Sequence, residues 1–343
     1  MNNIKEITKE LLAVPGISGY EGEFAECVCK KLKKYCSDAY VTKANCVLGT
    51  MPSKNADAPV VLLEAHLDRI GLIVSGVDEN GFVSFKNIGG VDERILPACE
   101  VRILGKSQVF GIIGAKPPHL MAKSEEKEGL KIEDMLIDTG LGEEASNLIS
   151  VGDPVMLEGD FCELMNDRIS SAALDNRLSM AAVFAVLEEL KDKELPYNVC
   201  VAFASGEEQG LQGAYTIVDQ CQPDLAIVVD VTYGSTPDAS GCETFPLGSG
   251  TAICRGPNVH YEITKQVIEI AKKSGIPYEI EVAPRSTGTN AWAIQTSGSG
   301  VPCTVLSIPL RYMHTTVETA DLTDAENICR LLCEIICGGE VIA

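Results

Sequence analysis

The chain has 343 residues, more than one hydrophobic core usually serves, so two domains are expected. Its 49 acidic and 28 basic side chains give a formal net charge of −21, a surface that repels phosphate backbones and anionic lipid. Nucleic acid and membrane are therefore excluded as natural partners, and the plainest reading of the charge is that it keeps a large particle soluble. Ile4, Ile7, Leu11 and Leu12 recur at helical spacing between charges, so the N-terminus shows no signal-peptide core, and no apolar run is long enough for a bilayer span. A cytoplasmic protein is expected, its 14 cysteines serving as reduced, buried thiols. The run Pro59–Ala65 (PVVLLEA) reads as a buried parallel strand.

From Arg69 to Asn166 the pattern changes. Short apolar stretches alternate with turns at Asp78–Gly81 and Gly105, the signature of a small β-barrel-like domain. The α/β pattern then resumes with a helix over Asn176–Leu190 and strands at Asn198–Ala204 and Leu225–Val231. A helix over His260–Ser274 and a strand at Cys303–Ile308 follow. A last helix opens on a capping box, Thr323 with Glu326, and stops at Gly338-Gly339. Cys329, Cys333 and Cys337 fall at i, i+4, i+8 and read as the core face of that helix, not as a ligand column. The expected architecture is an α/β sandwich with a mostly parallel sheet: 1–68 and 167–343 form the catalytic domain, and 69–166 is an inserted β domain.

Polar residues fall where chemistry is expected. His66 follows the first apolar run, Glu207 and Glu208 follow the run ending FASG, Asp230 closes LAIVVD, and His314 comes shortly after CTVLSIPLRYM. Ligands of open α/β sheets bind beyond the carboxyl ends of the strands, so four strands deliver these groups to one edge. Asp175, at a helix start, is able to join them. Each residue also has a bland reading: a structural histidine, a helix cap, a solvated acidic pair. A carboxylate ending a buried strand is harder to dismiss, because burying it unpaired is costly.

Two metal ions explain the count. One would take His66, Asp175 and Asp230, and the other Asp175, Glu208 and His314, with Asp175 bridging. Imidazole and carboxylate together suit zinc, cobalt or manganese. Consecutive side chains diverge, which leaves Glu207 as a general base and Glu208 as a ligand. Asp68 is placed to receive the second imidazole N–H of His66. The chain has no G-x-S-x-G, H-E-x-x-H, P-loop or G-x-G-x-x-G after a strand. Ser286–Asn290 (STGTN) reads either as a loop touching substrate or as a plain turn.

At these residues the sequence resembles the tetrahedral, self-compartmentalising aminopeptidases, which include glutamyl, leucyl and lysyl enzymes and proteins labelled cellulase M. The shared stretches are EAHLDRIGLIV around His66, GAKPPHL at Gly114–Leu120, LDNRLSMAA around Asp175, SGEEQGLQGA around Glu207, VVDVTYG around Asp230 and IPLRYMHTTVE around His314. The resemblance implies the same ligand set and base, with Asp68 supporting His66. It also implies a phosphorylase/hydrolase-like three-layer catalytic domain and an inserted domain that helps build a hollow dodecamer. The chain departs from the family pattern at Arg69, where an acidic residue is frequent, and at Asn290, where aspartate is frequent, and these put substrate preference in question.

The expected activity is removal of N-terminal residues from short peptides carrying a free amino end. A small-amide deacylase or dipeptidase of the same metal clan is the nearest alternative, and a blocked N-terminus separates the two. A glycosidase would use two opposed carboxyls without metal, and a scaffold protein would have no use for Glu207 beside Glu208.

Overall fold

The computed structural model describes residues 3–120 and 130–341. The centre of the large sheet is four parallel strands in the order Asn198–Ala204, Val60–His66, Leu225–Tyr233, Cys303–Arg311. These are the four expected from sequence. Their apolar runs do not alternate because both faces are covered. Val61, Leu63 and Ala65 enter one core, while Leu62 enters another on the opposite face.

The first core lies under helices Ile4–Leu12, Gly22–Leu32, Leu174–Leu190, Tyr261–Lys273 and Leu322–Gly338. The second lies under Gln212–Cys221 and Ala291–Thr296. Antiparallel strands flank the parallel centre: Val47–Met51 and Tyr40–Val41 on one side, and Glu318–Asp321, Arg168–Ser171 and Cys162–Glu163 on the other. Thr251–Arg255 and Tyr278–Val282, parallel to each other, branch from Cys303–Arg311. These edges are short, and polar residues or glycine interrupt them, so no continuous apolar run marks them in the sequence.

Between Val60–His66 and Arg168–Ser171 the chain forms a closed antiparallel barrel. Its strands are Gly71–Val77, Val83–Ile88, Glu100–Leu104, Gln108–Ile113, Ile137–Asp138 and Pro154–Leu157. Alternation is clear in Gln108–Ile113, where Val109 and Ile113 face the barrel core while Phe110 and Ile112 are exposed.

Two helix ends differ from the expected ones. The last helix begins at Leu322 and is capped by Asp321, whose Oδ1 accepts the Thr323 N–H at 3.0 Å, so the cap lies two residues before the expected Thr323. Along that helix Cys329 is buried, Cys333 partly buried and Cys337 exposed, so the cysteine stripe runs from core to solvent. The helix Leu174–Leu190 is buried along most of its length, and Asp175 and Asn176 inside its first turn have non-helical backbones. The regular helix therefore starts at Arg177, and Asp175 is free to aim its carboxylate elsewhere.

Candidate metal centre

The parallel strands point their carboxyl ends at one cleft of about 390 Å³. His66 ends its strand, and in the parallel register it lies level with Ala204, so the Glu207-Glu208 turn follows directly beside it. Asp230 lies within the neighbouring strand, which continues to Tyr233. His314 stands in the left-handed region, φ 63°, three residues after Cys303–Arg311 ends.

The seven candidate site residues, His66, Asp68, Asp175, Glu207, Glu208, Asp230 and His314, come together here. His66 Nε2 lies 3.0 Å from Asp175 Oδ1 and 3.7 Å from Asp230 Oδ1. His314 Nε2 lies 3.5 Å from Asp175 Oδ2 and 3.4 Å from Glu208 Oε1. Two donor triads result, His66–Asp175–Asp230 and Asp175–Glu208–His314, each with its donor atoms within 4.8 Å of one another. Asp175 belongs to both, through different oxygens. A third grouping at the same spacing, His66–Glu207–Glu208, places Glu207 against the centre.

Asp68 serves three neighbours. Its carboxylate accepts the backbone N–H of Glu207 at 2.9 Å and of Glu208 at 3.1 Å, fixing the turn that carries both glutamates. His66 Nδ1 is 3.1 Å from the Asp68 carbonyl oxygen and 3.7 Å from its carboxylate.

Sequence reasoning missed two supports. Glu318 is buried and accepts the N–H of Asp175 at 3.0 Å and of His314 at 2.8 Å, so one carboxylate holds the backbones of both. It belongs to the stretch IPLRYMHTTVE, but no spacing rule marks it. The other is the barrel itself, whose Gly90 carbonyl lies 2.9 Å from His314 Nδ1. A Cβ on Gly90 would stand 2.9 Å from that nitrogen, so any larger residue there would have to displace the ring.

The two departures lie off the cleft wall. Arg69 is buried and donates from Nη2 to the Leu157 carbonyl at the barrel base, 2.9 Å away. Asn290 donates to Glu64 Oε1 at 2.7 Å within the core. Thr287, Gly288 and Thr289 of the same loop do line the cleft.

The electrostatics ask for cations. Burial pushes the Asp230 carboxyl up to about 7 and that of Glu207 up to about 9, with neighbouring carboxylates adding to the effect. Glu208 is raised by burial too. Burial opposes the charge on His314, but Asp175 and Glu208 outweigh it and hold its pKa at about 11. The same hydrogen bonds keep Asp175 below the usual carboxylate range against its own burial. Among the described residues no lysine or arginine lines the cleft. Two buried carboxylates, Asp175 and Asp230, two partly buried ones, Glu207 and Glu208, and two imidazoles form an oxygen-and-nitrogen donor set that divalent ions fit and compensate.

Fold and site together define a hydrolase of the metallo-exopeptidase class, with aminopeptidase activity. The chain belongs to the M42 glutamyl aminopeptidase family, whose model matches residues 45–331. It is 32% identical over 332 residues to the lysyl aminopeptidase of Pyrococcus furiosus, covering 95% of this chain and 94% of that one. Its fold superposes on an aminopeptidase from the archaeon Desulfurococcus kamchatkensis with a TM-score of 0.92 at 30% identity, covering 99% of this chain and 97% of the other. It is also similar to the TET1 peptidase of Pyrococcus horikoshii, described as able to assemble into a tetrahedron or a large octahedral shell. The TM-score is 0.86 at 29% identity, over 97% of this chain and 99% of that chain. Divalent metal is implied by the family. Among the described residues no helix is long and apolar enough to cross a membrane.

Proposed function

We propose that the chain releases N-terminal residues from short peptides at a centre of two divalent ions, with zinc, cobalt or manganese the metals its ligands suit. His66, Asp175 and Asp230 would hold one ion, and Asp175, Glu208 and His314 the other. The observation that carries the reading is the pair of donor triads sharing Asp175, with Glu207 beside them. When bound, such ions polarise the scissile carbonyl and acidify water.

The chain's own residues do the rest. Glu207 accepts a proton from the attacking water and passes it to the departing amine. Asp68 keeps Glu207 and Glu208 in register through their backbone N–H groups, and Glu318 does the same for Asp175 and His314. The acidic walls hold the free ammonium of the substrate and disfavour a blocked one.

The division of the chain at 68/69 and 166/167, a barrel role in self-assembly and a homo-oligomer, in the extreme a tetrahedral dodecamer, belong to the same proposal. Exposed Phe110 and Ile112 on the barrel suit burial against a second copy, and the assembly described for the P. horikoshii relative supports it. Fourteen unpaired thiols fit residence in the cytoplasm.

Metal analysis of the purified protein tests the centre. Two ions per chain are expected, with Asp175→Ala losing affinity for both because it removes the two carboxylate oxygens, one of which each ion would use. A loss of only one ion in that variant would remove Asp175 as the bridge.

A further inference from the structure

The cleft has a feature that neither the ligands nor the base uses. Glu281, on the branch strand Tyr278–Val282, lines it. Thr232 holds this carboxylate in place, donating its hydroxyl to Oε1 at 2.6 Å. Thr232 lies two residues beyond Asp230 on the same strand, so the two side chains point to the same face about 7 Å apart along it.

That spacing separates two roles. The α-nitrogen of a bound peptide is two bonds from the carbonyl carbon under attack, about 2.5 Å away. It must therefore sit among the groups of the centre itself. Glu281, tied to Thr232 two residues beyond Asp230, stands farther along the cleft. A lysine side chain, with its flexible four-carbon stem, reaches roughly 6 Å and bridges the gap.

The surroundings fit a cation and reject an anion. Among the described residues the cleft contains no lysine or arginine to pair with Glu281 or to receive an acidic side chain. A second carboxylate, Glu243, stands nearby, its Oε1 accepting the Val282 N–H at 3.1 Å. Burial first, then Glu243, raises the pKa of Glu281, and an arriving ammonium or guanidinium would relieve both effects. Thr287, Thr289 and Met313 complete a wall that packs along an aliphatic stem.

We infer that Glu281 is the specificity-determining residue of this cleft and selects peptides whose first residue is basic, lysine or arginine, over acidic ones. The inference rests on the aminopeptidase reading of the same site.

The test compares lysyl, arginyl, leucyl and glutamyl p-nitroanilides with the metal-loaded wild type and Glu281→Gln, which retains the oxygen that Thr232 contacts. The wild type is expected to rank the basic substrates first and the glutamyl one last. In Glu281→Gln the lysyl-to-leucyl ratio of kcat/KM should fall about tenfold to a hundredfold, the range of one charged hydrogen bond, mainly through KM. Glu281→Lys should reverse the lysyl-to-glutamyl order. An equal fall for all four substrates would place Glu281 at the common α-ammonium and overturn the inference, as would a wild type that prefers glutamyl. Release of leucine with no basic preference would overturn the inference alone. A metal-loaded wild type inactive on all four would overturn it together with the aminopeptidase reading.

Discussion

The Gly90 carbonyl, carried on the barrel side of the chain, lies 2.9 Å from Nδ1 of His314. As the acceptor of that N–H it fixes the imidazole tautomer, leaving Nε2 to face Asp175 and Glu208. The barrel therefore orients one half of the centre. Gly90→Ala would set a Cβ 2.9 Å from Nδ1 and displace the ring. Affinity for one ion should fall roughly tenfold to a hundredfold, the cost of losing such outer support. Metal content after graded dialysis reads it, and the His66 half should retain its ion.

In the proposed mechanism Glu207 is the group whose removal would separate chemistry from metal binding. Glu207→Gln keeps the size of the side chain and abolishes its basicity. kcat should fall about 10²- to 10⁴-fold while metal content matches the wild type. Steady-state kinetics paired with metal analysis reads this, and a kcat within twofold of wild type would remove Glu207 from the mechanism.

Glu318 acts through two backbones. Glu318→Ala would orphan the buried N–H of Asp175, at a cost of about 1–3 kcal/mol, and the part-buried N–H of His314. Denaturant unfolding of the metal-loaded protein should show a lower midpoint. Glu318→Gln keeps one acceptor oxygen and should fall between the two.

Protons and metal compete for the centre. Without metal, His314 with its pKa near 11 is protonated at neutral pH, and Asp230 with its pKa near 7 is about half protonated. Both must lose their protons to bind an ion, so metal affinity rises with pH and binding releases protons. Calorimetric titration in buffers of different ionisation enthalpy should show more than one proton released at pH 7 for the two ions together. Proton release should shrink as pH rises through 7 and Asp230 ionises beforehand. A pH-independent affinity between 6 and 8 would contradict the ligand set.

The sequence made His66, Glu208, Asp230 and His314 legible as candidate ligands because each stands just after, or near the end of, a continuous apolar run. That run exists only because the strand is buried on both faces, as Val60–His66 and Leu225–Tyr233 are. Asp175 was visible only as the start of a helix. Its non-helical backbone, which frees the carboxylate to reach both histidines, has no local signal. Glu318 lies on a four-residue antiparallel strand too short to show a pattern. Gly90 reaches His314 across 224 residues, and Glu281 meets Thr232 across 49, pairings that only the folded sheet creates. The last helix's cap was misplaced because Thr323 and Glu326 match a capping box while Asp321 takes the N–H first.

The most direct test of the account pairs free and N-acetylated peptides of the same sequence, using metal-stripped protein before and after two equivalents of zinc, cobalt or manganese. The account predicts no release without metal, restoration as the second equivalent is filled, and cleavage only from the free amino end. Metal-independent release, full activity at a single equivalent, or equal cleavage of the acetylated peptide would contradict it.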